Sequence, residues 1–119
     1  YCGEQHAHMG FEVIAQPREE FIEWLEQQKR TAPEPADEAA DRGRKVFLSG
    51  TCAMCHAIRG TNAFGQAGPD LTHVAGRRWI ASATLPNNRG SLGGWISNAQ
   101  GIKPGSHMPR ITLPAQDLE

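Results

Sequence analysis

The pentapeptide Cys52-Ala53-Met54-Cys55-His56 constrains the fold of this chain more than any other stretch of its 119 residues. Two thiols on one tight turn, with an imidazole directly after the second, form the C-x-x-C-H pattern of covalent haem attachment. The thiols add across the two vinyl groups of the porphyrin, and the adjacent histidine is thereby held beneath the iron as an axial ligand. Taken alone, the pentapeptide also suits half of a zinc site or a redox dithiol. Zinc needs two further cysteine or histidine ligands, and only Cys2, His73 and His107 remain as distant candidates. A thioredoxin-like dithiol follows a strand in a βαβ unit, whereas this pair follows a predicted helix.

A c-type haem takes its sixth ligand from the opposite face, on a separate loop. The stretch KPGSHMP supplies one: Met108 lies between turn-forming residues and 52 positions after His56, room enough for the chain to travel around a porphyrin and return. His107 beside it is an alternative ligand, and a methionine at such a place also serves as core filler.

A net charge of −1 conceals an asymmetry. Residues 1–37 carry eight acidic residues against three basic ones, while residues 38–119 carry nine basic against five acidic, so the two parts read as different units. The bases form no run and have no interleaved aromatics, which speaks against nucleic-acid binding and leaves a basic face for an acidic partner or for anionic groups of a cofactor. Apolar runs are far too short to span a bilayer, and the first residues lack the pattern of a signal peptide, so any membrane anchor is expected outside this chain.

FEVIAQ (residues 11–16) alternates Phe11, Val13 and Ala15 on one face and predicts a strand. PREEFIEWLEQQKR (17–30) predicts a helix, with Pro17 at its first position, Glu19 and Glu20 at the positive end of the dipole and Lys29 and Arg30 at the negative end. Phe21, Trp24, Leu25 and Gln28 share one face of it. TAPEPAD (31–37) has the composition of a semi-rigid linker and marks a domain boundary. Asp37 caps a second predicted helix that runs to about Leu48, with Gly43, Val46 and Phe47 inward and Gly50 at its end. From Thr51 to Arg89 helical periodicity is poor and glycine frequent, so that order there requires wrapping around something. SLGGWISNAQ (91–100) predicts a short helix stopped before Pro104, and LPAQDLE the first turn of another.

Three ordered segments, GRKVFLSGTCAMCHAI, GPDLTHVAGRRWIASATLPNN and LGGWISNAQGIKPGSHMP, closely resemble the cytochrome c domain fused to subunit II of bacterial caa-type cytochrome c oxidases, over about residues 41–109. The resemblance implies a mainly α, class I cytochrome c fold around one covalent haem c. Cys52 and Cys55 would form the thioethers, with His56 the proximal and Met108 the distal ligand. The Pro69 carbonyl would accept a hydrogen bond from the other ring nitrogen of His56, and Leu71 would pack on the ring. Arg77, Arg78, Trp95 and Ser106 resemble residues lining or neighbouring the propionates. Gly43 and Phe47 resemble the pair by which the first helix of such domains crosses the last, here cut short. Trp79 stands where the family has a smaller residue.

The same resemblance gives a meaning to CGEQHAHM near the start. A copper-binding, cupredoxin-like β-barrel precedes the cytochrome in that family and ends with C-x-x-x-C-x-x-x-H-x-x-M before its last strand. Cys2, His6 and Met9 match the second cysteine, the histidine and the methionine, a partial dinuclear copper site, and His8 falls between ligands. The expected organisation is a copper-domain remnant over 1–30, a linker over 31–37 and the cytochrome over 38–119.

The function implied is electron entry into a respiratory oxidase: an electron taken from a soluble cytochrome c or similar donor passes through the haem to dinuclear copper, and on to oxygen reduction in subunit I. The domain would face the periplasm or the outer surface of the inner membrane, tethered by transmembrane helices outside this chain. A free-standing monohaem carrier is the alternative, and a colourless zinc or dithiol module a third reading.

Overall fold

The structure, a computed structural model, describes residues 5–118. A 3-10 turn, His6–His8, comes first and two helices follow. Helix α1 (Arg18–Lys29) carries Glu19 and Glu20 in its first turn and Lys29 in its last, each complementing the dipole. Pro17 takes the N-cap, one place before the predicted position, because its ψ of 147° is extended while its carbonyl already accepts from Phe21 N–H at 3.0 Å. Phe21 and Trp24 stack with ring centroids 5.8 Å apart, on a face that stays substantially exposed.

Helix α2 (Glu38–Ser49) begins where Asp37 caps it, the side chain accepting from Ala40 N–H at 2.8 Å, and ends at Gly50. Val46, Phe47 and Leu48 are half-buried on it. Gly43, expected inward, is exposed, with nothing within 4 Å of a Cβ placed there. The linker packs against this helix. Glu34 pairs with Arg44, and Pro35, Ala36, Phe47, Leu48 and Ile58 line a common cleft.

Next come a one-turn helix α3 (Cys52–Cys55) and a small antiparallel hairpin of β1 (Ala57–Ile58) and β2 (Ala63–Phe64), with Ala57 opposite Phe64 and Ile58 opposite Ala63. A second hairpin joins β3 (Trp79–Ile80) to β4 (Leu85–Pro86). Its turn places Ala81, Ser82 and Ala83 at φ of 52°, 57° and 61°. Left-handed backbone costs roughly 1–2 kcal/mol per non-glycine residue, and three bonds to the Ala81 carbonyl brace it, from Thr84 N–H, Thr84 Oγ1 and Lys103 Nζ. Helix α4 (Arg89–Ile102) is capped by Asn88 accepting from Ser91 N–H at 2.8 Å. It is longer than predicted and kinked at Asn98.

Phe11–Gln16 does not form the expected strand: it is exposed and joins no ladder. Alternation reports which side chains would share a face, but a strand needs a neighbouring strand to form a ladder with, and alternation does not supply one. The chain divides into two compact units, one of Glu12–Val74 and the other of the described residues up to Phe11 together with those from Ala75 onward. The linker 31–37 lies inside the first. Among the described residues the buried apolar side chains are Ala63, Ile80 and Ala99, and no large side chain is fully buried. No helix among them is long and apolar enough to cross a membrane.

Candidate functional site

In the first unit the site begins with the single turn α3, which presents both thiols from one end of α2. Cys52 and Cys55 are half-buried and unbridged. His56 N–H closes the turn on the Cys52 carbonyl at 3.0 Å, and its own backbone is already extended (φ −110°, ψ 144°). The imidazole therefore leaves the chain just where the helix stops.

Residues 65–69 bring the chain back to that ring. A Cβ at Gly65, just after β2, would lie 2.5 Å from the Cys55 carbonyl carbon and 2.6 Å from His56 N, so only hydrogen fits there. Gly68 N–H donates to the Cys55 carbonyl at 2.7 Å, and a Cβ at Gly68 would meet His56 Cε1 at 2.5 Å. The next residue contributes the decisive contact: His56 Nδ1–H donates to the Pro69 carbonyl at 2.8 Å. An imidazole that donates through Nδ1 keeps the lone pair of Nε2 for a metal and is made more basic. Leu71 N–H bonds the Ala57 carbonyl at 2.9 Å and the Leu71 side chain is half-buried. Asp70 is held below the usual carboxylate range, first by hydrogen bonds from Thr72 and then by the charges of Arg59 and His73.

In the second unit, Met108 is half-buried and His107 exposed. Gln100 of α4 governs this segment: its Nε2 serves the Ser106 carbonyl, Ser106 Oγ at 3.2 Å and the Met108 carbonyl at 2.8 Å. Arg110 donates to Asn98 Oδ1 at 2.7 Å, and Ile111 N–H to the Ile96 carbonyl at 3.3 Å, so residues 106–111 run along α4. Trp95 is half-buried on that helix, while Arg77 and Arg78 are exposed beside β3, with Asn87 Nδ2 on the Arg77 carbonyl. His6 lies in a 3-10 turn, His6–His8, and Met9 directly after it, both exposed; Cys2 lies outside the described residues. No cluster of three or more metal-ligating His, Cys, Asp or Glu occurs among the described residues.

Gly65 and Gln100 were not singled out from the sequence. Gly65 carries a readable signal, a glycine where the chain returns to the attachment motif after a short strand. Gln100 carries none, because its role depends on a loop that comes back along the helix.

The residues fit a covalently attached haem. Two thiols share a turn, an imidazole offers Nε2, and the backbone next to that ring is pared to glycine. The thin core of small side chains is the kind that a large apolar group completes.

The cytochrome c family pattern matches residues 40–119. The chain belongs to the cytochrome c family. Its helices and two small hairpins agree with the class I fold of that family. It is 39% identical over 119 residues to cytochrome c oxidase subunit 2 of Alkalihalophilus pseudofirmus, covering 99% of this chain and 34% of that one. The same-named protein of Bacillus subtilis is 27% identical over 120 residues (99% of this chain, 34% of the relative), and that of Bacillus sp. strain PS3 32% identical over 111 residues (90% and 31%). The chain thus spans about a third of the length of the curated relatives it matches.

Proposed function

We propose that the chain transfers electrons through one covalently bound haem c, as the electron-entry region of a cytochrome c oxidase subunit II. The observation that carries this reading is the His56 imidazole, set directly after the two thiols and oriented by Pro69 with Nε2 left for iron. The likeness to three subunit 2 proteins along nearly the whole chain supports the oxidase setting.

When bound, a c-type haem supplies a one-electron ferrous/ferric couple, whose potential a methionine ligand raises. The chain's residues determine how that couple is held. Cys52 and Cys55 would hold the haem by thioethers, so that the group would not be lost between cycles. His56 would donate through Nε2, and the Pro69 carbonyl restrains its ring. Met108 would offer its thioether to the metal, and Gln100 restrains the backbone that carries it. Ligands that stay in place would keep water and oxygen from the metal, so this region would carry electrons and the oxygen chemistry would belong elsewhere in the complex. Leu71, Trp95, Ser106, Arg77 and Arg78 would line or neighbour the haem.

Residues 1–30 are the end of a cupredoxin-like copper domain, 31–37 a linker and 38–119 the cytochrome. Cys2, His6 and Met9 would contribute three ligands to a dinuclear copper site. A soluble cytochrome c or similar carrier is the donor and oxidase subunit I the onward partner. The whole sits at the outer face of the bacterial inner membrane. The test is oxygen uptake by the assembled oxidase carrying Met108→Ala in the full-length subunit. A lowered haem potential with slowed donor oxidation is the expected result; unchanged potential and turnover would refute Met108 as ligand and the haem as entry point.

A further inference from the structure

Arg59 stands three residues after His56, at the turn of the first hairpin, and its guanidinium reaches in two directions. Nη2 donates to the Gln28 carbonyl at 2.6 Å. That carbonyl is among the last four of α1, which have no partner within the helix, and a cation there also meets the negative end of the dipole. Nε faces Asp70 Oδ2 at 3.5 Å. The backbone of Arg59 is engaged as well, its carbonyl accepting from Ala32 N–H at 2.9 Å and its N–H donating to Thr72 Oγ1 at 2.9 Å.

The neighbours of Arg59 reinforce both ties. His73 Nε2–H, from the loop that carries Pro69, donates to the Arg30 carbonyl at 3.1 Å, a second bond to the end of the same helix. Gly60 lies so near the linker that a Cβ there would be 2.8 Å from Thr31 Cβ. Asp70 Oδ1 accepts from Thr72 N–H at 2.7 Å, which fixes the carboxylate that Arg59 meets. All of these residues belong to the Glu12–Val74 unit.

Pro69 sits in the middle of the fastened segment. On one side Gly68 is bonded to the Cys55 carbonyl; on the other Asp70 and Thr72 are bonded to Arg59. The carbonyl that orients His56 is therefore set by ties at both of its neighbours, and one of those ties leads to α1. Lysine cannot replace this, since a single ammonium on a flexible stem does not satisfy two acceptors in different directions as a planar fork does.

We infer that Arg59 is a positioning residue for the haem: its guanidinium clasps the C-terminal end of α1 to the loop that carries Pro69, and so fixes the orientation in which Pro69 holds His56. This rests on the haem reading above. It also makes α1 and the linker a rigid extension of the attachment site instead of a hinge.

The experiment uses the haem-loaded chain as native protein, Arg59→Lys and Arg59→Ala, with the midpoint potential and the paramagnetic NMR shifts of the His56 ring protons as readouts. A colourless native protein would sink the haem reading itself, and red native protein leaves the clasp to be decided by the variants. Arg59→Lys keeps the charge, so a purely electrostatic role leaves it like the native protein. The clasp predicts displaced His56 shifts in both variants and a change of the ferrous/ferric equilibrium by about tenfold, which is about 59 mV for one electron. Native-like shifts and potential in Arg59→Lys, or a lowered melting temperature alone in Arg59→Ala, would overturn it. Should Arg59→Ala fail to retain haem, Asp70→Asn removes one side of the clasp while leaving an acceptor for Thr72, and is expected to displace the same signals by less; unmoved signals would overturn it too.

Discussion

The Pro69 carbonyl oxygen lies 2.8 Å from His56 Nδ1, a contact made across 13 residues of chain. Bringing the two together requires the chain to fold back over its own attachment turn, and Gly65 and Gly68, two of the three glycines between them, allow that approach. Alanine at Gly65 meets Cys55 and His56 backbone, which cannot yield, whereas alanine at Gly68 meets the His56 ring first. Gly65→Ala is expected to cost about 1–3 kcal/mol as an overpacked site, or to prevent haem retention. Gly68→Ala should be milder in stability but should displace the His56 ring. Chemical denaturation and ring-proton shifts of the haem-loaded chain check both, and the reverse ranking would contradict the packing described.

Gln100 holds the Met108 segment through three acceptors. Gln100→Leu should therefore weaken the far-red ferric band that reports methionine ligation, at a stability cost of about 0.5–1.5 kcal/mol for the lost hydrogen bonding. The absorption spectrum and a denaturation curve measure the two effects separately. An intact band would show that Met108 is held without Gln100.

The Asp37 side chain caps α2 immediately ahead of the attachment turn. Asp37→Ala is expected to destabilise the folded chain by about 1 kcal/mol, as other N-cap replacements do, with the visible spectrum unchanged because the cap touches no ligand. Guanidinium denaturation followed in the visible region checks it.

Asp70 has a folded pKa below its ordinary value, chiefly through Thr72. A depressed carboxylate pKa contributes stability that is present above the unfolded value of about 4 and is lost as pH falls through the lower folded value. Native protein should exceed Asp70→Asn in stability at neutral pH, and the difference should shrink as the solution is acidified below about pH 4 and vanish below the lower folded value. Because the side chain is nearly half exposed, the contribution stays under about 1 kcal/mol. Stability differences measured at pH 7 and pH 3 decide it.

The attachment turn, the Asp37 cap and helix α1 were legible because each is dictated by residues within a few positions of one another. Other features were not. Alternation at residues 11–16 signals a possible strand but carries no information on a neighbouring strand, and the segment joins no ladder. The left-handed turn at Ala81, Ser82 and Ala83 carries no glycine to announce it and is imposed by the hairpin around it. TAPEPAD reads as a linker by composition, but Glu34, Ala32 and Thr31 are tied down by Arg44, Arg59 and Gly60. Arg59 and Gln100 act through partners 31 and eight residues away, and neither separation leaves a local pattern.

The central claim, that Cys52, Cys55 and His56 hold a covalent haem, is tested most directly by expressing the chain with c-type maturation and recording its reduced absorption spectrum together with its thiol titre. The account predicts a red protein with a sharp α band and one titratable thiol, Cys2, of the three cysteines. A folded but colourless protein with all three thiols reactive, in a host where a control c-type cytochrome turns red, would contradict it.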